Sequence, residues 1–348
     1  MEALDNKCPA CGAKIDFNPI NQKWDCIYCG SSFSLDEIQK CNNPNIVDTN
    51  EKNVIGAEHN NEMDVYCCKN CGAEIMADET TVATFCVYCG STAILKDKIN
   101  ASKIPNFIIP FQNEKKDAIE AFKNLTKHKP LAPRCFKSSK NIEKVMGVYI
   151  PFWAYDLEAS GTVEFIGKDY KHWRDEEYYY TKTSKYEVKK SGKFDFNKVL
   201  ADASSKFSDD LMDSLEPFDY KQLTEYNHAY LAGFLADKYD ISEEKGLERV
   251  SGRTNDTAVD LIKNTVNHES VEVNNNQISV RQKRVYYLLI PVWMVSIRYK
   301  EKNYIFAMNG QTGKIVGDIP IGIKEFVIWS ISIFIVLFIL TFLGLKFI

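Results

Sequence analysis

The chain has 348 residues, 26% of them charged and 45% hydrophobic, with a formal net charge of −4. That length carries two or three domains with sizeable cores, and the composition excludes a disordered or fibrous chain. The slightly acidic balance argues against a general nucleic-acid binder.

Eleven cysteines call for a metal site or an oxidising compartment. The first stretch supplies the metal reading. Cys8-Pro9-Ala10-Cys11 is followed, after fourteen residues, by Cys26-Ile27-Tyr28-Cys29. Cys68-Lys69-Asn70-Cys71 is followed, at the same spacing, by Cys86-Val87-Tyr88-Cys89. The second set repeats the first sixty residues on, and Gly12, Ala13, Ile15, Gly30 and Ser31 recur as Gly72, Ala73, Ile75, Gly90 and Ser91. Two residues between cysteines let a tight turn aim both sulfurs at one ion. The glycine after each pair can take φ > 0 and turn backbone N–H groups toward thiolate. Fourteen residues suffice for a β-hairpin that closes one pair on the other. Four thiolates fill a tetrahedral zinc site, which makes it structural and not catalytic. Free thiols or an iron–sulfur centre are the alternatives, and the tandem pairs favour zinc. The expectation is two Zn²⁺ ions, one on Cys8, Cys11, Cys26 and Cys29, the other on Cys68, Cys71, Cys86 and Cys89. Each ribbon is too small for a large core, so metal affinity supplies its folding energy. Cys41, Cys67 and Cys135 read as plain thiols, the sixty-residue register selecting Cys68 over Cys67.

The spacing predicts a first ribbon over 1–40, an Asn- and Asp-rich linker over 41–63, and a second ribbon over 64–100. An α+β body over 101–322 follows. Lys103 to Phe111, cut by Pro105 and Pro110, reads as an edge strand. Ala118, Ile119, Phe122 and Leu125 fall at helical spacing within Lys115 to Lys127. Val145 to Leu157 and Val285 to Ile297 are β-rich and share Ile-Pro-x-Trp, at Ile150–Trp153 and Ile290–Trp293. Each is followed by a second strand, Gly161 to Gly167 and Asn303 to Asn309, which predicts two related antiparallel β-units. The turn Asn309-Gly310-Gln311-Thr312-Gly313 leads to a strand at Lys314 to Gly317. The two tryptophans read as core residues before they read as a docking surface. Asp156 to Ser191 mixes Tyr and Lys with Asp175, Glu176 and Glu177; those acids would repel phosphate, so solvated antiparallel strands are favoured over base stacking. Helical periods are read at Asp195 to Glu216 and Gln222 to Tyr239. Ser242 is an N-cap for a helix reaching toward Asn267, and Val271 to Val280 alternates as a strand. His172 beside the acidic trio lacks a nucleophile, and His128, His228 and His268 stand apart in sequence.

The last stretch, Phe326 to Leu345, has twenty residues with no charge and no proline. At about 1.5 Å per residue it is a helix about 30 Å long, one hydrocarbon core thick. Trp329 suits one interface, and Lys346 can snorkel to the other. The segment 323–348 is therefore expected to be a single-pass tail anchor. The polar start MEALDNKCPACG lacks a signal peptide's apolar region, which places the body in the cytoplasm, at the cell membrane.

No Walker A, G-x-S-x-G, H-E-x-x-H or dinucleotide motif is found, so no catalytic residues and no enzyme activity are expected. The paired CxxCG and CxYCG knuckles, the IPF and IPxW strands, the NGQTGK turn and the tail together resemble a known layout. It is that of bacterial membrane-anchored double zinc-ribbon (TFIIB-type zinc-ribbon-containing) proteins. Some of these are encoded beside phage-shock protein A and an SPFH/flotillin-like protein. The resemblance implies that the eight cysteines above are zinc ligands. It also implies an adaptor that recruits an SPFH-like partner in envelope stress. A membrane-tethered nucleic-acid binder is the alternative, opposed by the acidic charge of the ribbons.

Overall fold

The computed structural model describes residues 3–4, 7–42, 64–67, 74–77, 81–85, 92–95, 104–142 and 144–346. They fall into two compact units. One holds Met1–Pro151, Lys206–Lys238 and Leu289–Ile348; the other holds Phe152–Ser205 and Tyr239–Leu288. The elements that matter below, in chain order, are β1 (Asp16–Asn18), β2 (Lys23–Asp25), β3 (Ser32–Phe33), α1 (Leu35–Asn42) and β4 (Thr81–Phe85). They continue with β5 (Phe107–Ile108), α2 (Lys115–Lys127), β6 (Met146–Arg174), β7 (Tyr179–Asp202), β8 (Leu235–Asp237) and α3 (Glu243–Lys263). The last are β9 (Ser270–Tyr299), β10 (Lys302–Asn309), β11 (Ile315–Val316) and α4 (Ile323–Lys346).

In the first unit, β1, β2 and β3 form a small antiparallel sheet. β8 pairs antiparallel with β4 and in parallel with β6, at Val148↔Leu235. β9 pairs with β10 from Val292↔Asn309 to Tyr299↔Lys302, and β10 with β11. Helix α2 starts at a capping box in which the Glu114 N–H donates to Asp117 at 2.8 Å, and it buries Ala118 and Phe122. Phe122 meets Phe306 edge-on at 4.9 Å. Beside them Phe111 stacks on Phe234 at 4.1 Å and touches Tyr149 and Trp293. The Trp293 indole N–H donates to the Asn113 carbonyl at 3.1 Å.

The Asn309 turn forms as predicted, and its first three residues, Asn309 to Gln311, are buried. Asn309 Oδ1 accepts from the Gln311 and Thr312 N–H groups, both at 2.9 Å, and its amide donates to the Leu215 carbonyl at 3.0 Å. Gly313 takes φ 77°, which closes the turn at little cost only for glycine. Gln311 bridges both backbone groups of Asp219, at 2.7 and 2.9 Å. The buried side of this turn therefore ties the hairpin to residues 215–222, while Thr312 stays exposed.

The second unit is built on one antiparallel pair, β6 with β7, running from Phe152↔Asp202 to Arg174↔Tyr179. Helix α3 begins at Ser242, whose Oγ accepts from the Lys245 N–H, and packs Val259 and Ile262 with nearby Val266 on Val163 and Phe165. Trp153 is buried and donates to the Ile241 carbonyl at 2.9 Å; Tyr155 donates to the Glu243 carbonyl at 2.6 Å. Both Ile-Pro-x-Trp tryptophans are thus core residues with a satisfied N–H. Gly246 lets α3 approach: a Cβ there would lie 2.5 Å from the Tyr155 hydroxyl.

Two expected helices are absent. Residues 195–216 hold the end of β7 and one short helix, Asp209–Asp213. The register of β6 shifts between Tyr155 and Leu157, opposite Lys198 at φ 55°, whose N–H donates to Asp156 at 3.0 Å. That bulge breaks the two-residue alternation and leaves a spacing that imitates a helix. Residues 222–239 hold short 3₁₀ turns and strands, with Asn227 Oδ1 capping the Ala229 N–H at 2.9 Å and Gly233 at φ 88°. The strand predicted at 161–167 is one piece with β6, and α1 runs two residues into the predicted linker.

Helix α4 is long and apolar enough to cross a membrane, and none of its apolar stretch Ile323–Thr341 is buried. Two of its three hydroxyls are satisfied within the helix: Ser332 donates to the Ile328 carbonyl at 2.8 Å and Thr341 to Leu337 at 3.0 Å. Such self-satisfaction is what a helix in hydrocarbon requires.

Candidate metal centre

The first ribbon is two copies of one turn. In the first, the Gly12 N–H donates to the Cys8 carbonyl at 2.8 Å and the Cys8 N–H to the Ala13 carbonyl at 2.6 Å. In the second, Gly30 donates to Cys26 at 2.9 Å and Cys26 to Ser31 at 2.9 Å. Gly12 and Gly30 sit at φ 73° and 72°, the left-handed region the sequence anticipates. The connector between the knuckles is the β1–β2 hairpin, paired Asp16↔Asp25 to Asn18↔Lys23. Its turn is an Asx turn, Asn18 Oδ1 accepting from the Ile20 N–H at 2.9 Å. Burial raises the Asp25 carboxyl, but hydrogen bonds from Ser32, Asn18 and Asn21 outweigh it and hold that group below its ordinary range. A charged Asp25 thereby laces the hairpin turn to β3.

These turns bring the four sulfurs of Cys8, Cys11, Cys26 and Cys29 within 4.8 Å of one another. The cross-knuckle pairs Cys8–Cys29 and Cys11–Cys26 are each at 3.6 Å. A disulfide would be about 2.0 Å. A Zn–S bond of about 2.3 Å gives a tetrahedron with edges of about 3.8 Å, so the spacing fits an ion at the centre. Cys8 and Cys26 are buried, while Cys11 and Cys29 face solvent. The thiols differ in acidity. The Ser31 hydroxyl and N–H bring Cys29 down to about 6. At Cys11 the Ala13 N–H favours thiolate, but burial and the three neighbouring sulfurs prevail and push it up to about 12. Four sulfurs this close cannot all ionise without a compensating cation, and a divalent ion at their centre would supply that charge.

The hairpin also carries an anchor that the cysteine spacing does not announce. Phe17 and Trp24 are a cross-strand pair, both buried, 5.0 Å apart. Trp24 donates to the Ala229 carbonyl at 2.8 Å, the Phe17 N–H to Ala232 at 3.1 Å, and both rings meet Tyr230. The signal available was a tryptophan in a short polar hairpin, where a free-standing ribbon has no core to hide it.

Cys68, Cys71, Cys86 and Cys89 lie outside the described residues, as does most of the predicted linker. Cys135 is a half-buried free thiol, its pKa raised by burial. Among the described residues, His172 is exposed with Nδ1 2.9 Å from Thr181 Oγ1, and His268 lies 3.0 Å from Asp169. Neither joins a wider acid–base constellation there.

Compared with known proteins, the chain is 34% identical over 327 residues to the uncharacterized protein YdjG of Bacillus subtilis (strain 168), a match covering 94% of this chain and 93% of that one. No family model matches the chain. No solved structure matches it.

Proposed function

We propose that this chain, which belongs to the family of Bacillus subtilis YdjG, is a membrane-anchored zinc-ribbon adaptor. Its helix α4 holds it in the cytoplasmic membrane, and its cytoplasmic body recruits protein partners during envelope stress. The observation that carries the reading is the four-sulfur cluster, whose coordination positions are all taken by the chain itself. Cys8, Cys11, Cys26 and Cys29 would hold Zn²⁺ as a cross-link that folds the ribbon and leaves no position for a substrate. Cys68, Cys71, Cys86 and Cys89 would hold a second ion in the same way, by the sixty-residue repeat. The exposed apolar surface of α4 supports the anchor. The resemblance of the whole layout names an SPFH/flotillin-like protein as the first partner to test.

The test is site-specific photo-crosslinking in living cells, with the crosslinker at exposed Ile27 of the ribbon, with and without membrane stress. The expected result is discrete crosslinks to membrane-associated proteins that vanish when α4 is removed. Zinc near two ions per chain is expected in the same preparation. Crosslinks only to nucleic-acid machinery, with steeply salt-dependent DNA binding, would overturn the reading in favour of a tethered nucleic-acid binder.

A further inference from the structure

The far end of the β6–β7 hairpin is unlike the rest of the second unit. Every residue from 171 to 183 is exposed. Solvated strands ordinarily fill such positions with Thr, Lys and Ser, as residues 181–185 do. Instead, four large aromatic side chains crowd the tip: Trp173, Tyr178, Tyr179 and Tyr180 are 46%, 61%, 79% and 39% exposed. They are ordered without burial. Trp173 and Tyr180 are cross-strand partners with rings stacked at 5.5 Å, 9° from parallel, and Tyr178 meets Tyr180 edge-on at 6.4 Å. On the other face Arg174 lies over the Tyr179 ring at 4.8 Å. The turn between them is locked, Asp175 Oδ1 accepting from the Tyr178 N–H at 2.8 Å and the Glu177 N–H at 3.0 Å. Trp, Tyr and Arg are the residues that dominate binding energy at protein interfaces, and side chains already held in place lose little entropy on docking.

Charge selects among the occupants. Within 173–180 there are three carboxylates, Asp175, Glu176 and Glu177, against the one guanidinium of Arg174. An anionic bilayer or a nucleic-acid backbone would meet those carboxylates head-on and be repelled. A basic protein segment meets them favourably, and its guanidinium or ammonium groups can also lie on the exposed rings. The cross-strand pair Lys171↔Lys182 comes next along the hairpin and bounds this footprint on its inner side.

We propose that the β6–β7 tip, residues 173–180, is a docking surface for an arginine- or lysine-rich protein segment. The proposal rests on the adaptor reading and names a surface and a partner chemistry for it. The probe is a fluorescein-labelled peptide alternating arginine and leucine, with a glutamate–leucine peptide of equal length as control. Both are titrated onto the full chain in phosphatidylcholine nanodiscs. The arginine peptide should bind at least tenfold tighter than the control. Trp173→Ala and the pair Glu176→Lys with Glu177→Lys should each weaken it at least tenfold. The charge pair lies in the exposed turn and leaves the hairpin folded, so it decides the matter even where Trp173→Ala frays the strands. Equal binding of the two peptides, or binding untouched by the charge pair, overturns the proposal. So does quenching of Trp173 by phosphatidylglycerol vesicles carrying a headgroup quencher, which assigns the tip to the bilayer. A crosslinker at Tyr179 that captures nothing, while one at Ile27 captures partners, sinks the tip and spares the adaptor.

Discussion

Trp24 decides whether the ribbon is an independent module or a fixed part of its unit. Its side chain is 1% exposed, touches Phe17 at 5.0 Å and Tyr230 at 5.1 Å, and donates to the Ala229 carbonyl at 2.8 Å. Trp24→Phe keeps most of the apolar contact and removes one of the two donors to that carbonyl, the Ala232 N–H remaining, at a cost of about 0.5–1.5 kcal/mol. Trp24→Ala removes the ring as well, and truncations of this kind cost about 3–5 kcal/mol. The knuckles themselves do not involve Trp24, so both variants should retain metal. The loss should appear as local opening of the contact with residues 229–234. Amide hydrogen exchange on the full chain in detergent reads this directly at Ala232 and Phe234, whose N–H groups donate to Ala229 and Leu231 carbonyls. Protection should fall about two- to tenfold in Trp24→Phe, since about 1.4 kcal/mol is a factor of ten, and by more than a hundredfold in Trp24→Ala. Unchanged protection in Trp24→Ala, with zinc retained, would show that the ribbon is not held by this contact.

If the four cysteines hold zinc as proposed, Cys26→Ser should lower bound zinc by one equivalent, measured by elemental analysis, and expose the ribbon to proteolysis by removing the link between its knuckles. Gly246→Ala should lower the thermal midpoint even though alanine favours helices by about 1 kcal/mol, because its Cβ would fall 2.5 Å from the Tyr155 hydroxyl; overpacking costs about 1–3 kcal/mol. Hydrogen bonds from Lys283 and then Lys193 press Glu158 down to about 2, and Arg281 also reaches it. A depressed carboxyl stabilises above its unfolded value of about 4.3 and loses that contribution as pH falls toward 2. Thermal midpoints of Glu158→Gln and the parent should therefore differ at pH 6, draw together as pH falls below about 4, and converge only at about pH 2. Equal midpoints at pH 6 would remove Glu158 from the account.

What could be read in advance follows from how local its physics is. The knuckles need only a turn, a glycine at positive φ and a hairpin of the right length, all within thirty residues, and the described ribbon has each of them. Helix α2 was legible from its apolar spacing and α3 from its Ser242 N-cap, both local signals. The tail needed only length and composition. The failures begin where partners are distant. Residues 195–202 look helical because a bulge at Lys198, held by the Asp156 carboxylate forty-two positions earlier, offsets the strand period. Residues 222–239 look helical because Leu231 and Ala232 are buried at close spacing, yet what buries them includes the ribbon, whose Phe17 N–H donates to Ala232 from more than two hundred residues away. The Asn309 turn shows the reverse. Its local chemistry was read correctly, and its depth was not, because burial comes from residues 215–222 folding over it. A local motif in this chain thus states its own shape reliably and says nothing of what covers it. The same reasoning gives the exposed hairpin tip its interest: nearly every other large aromatic side chain described in the body has found distant cover within its own unit, and those of residues 173–180 have not.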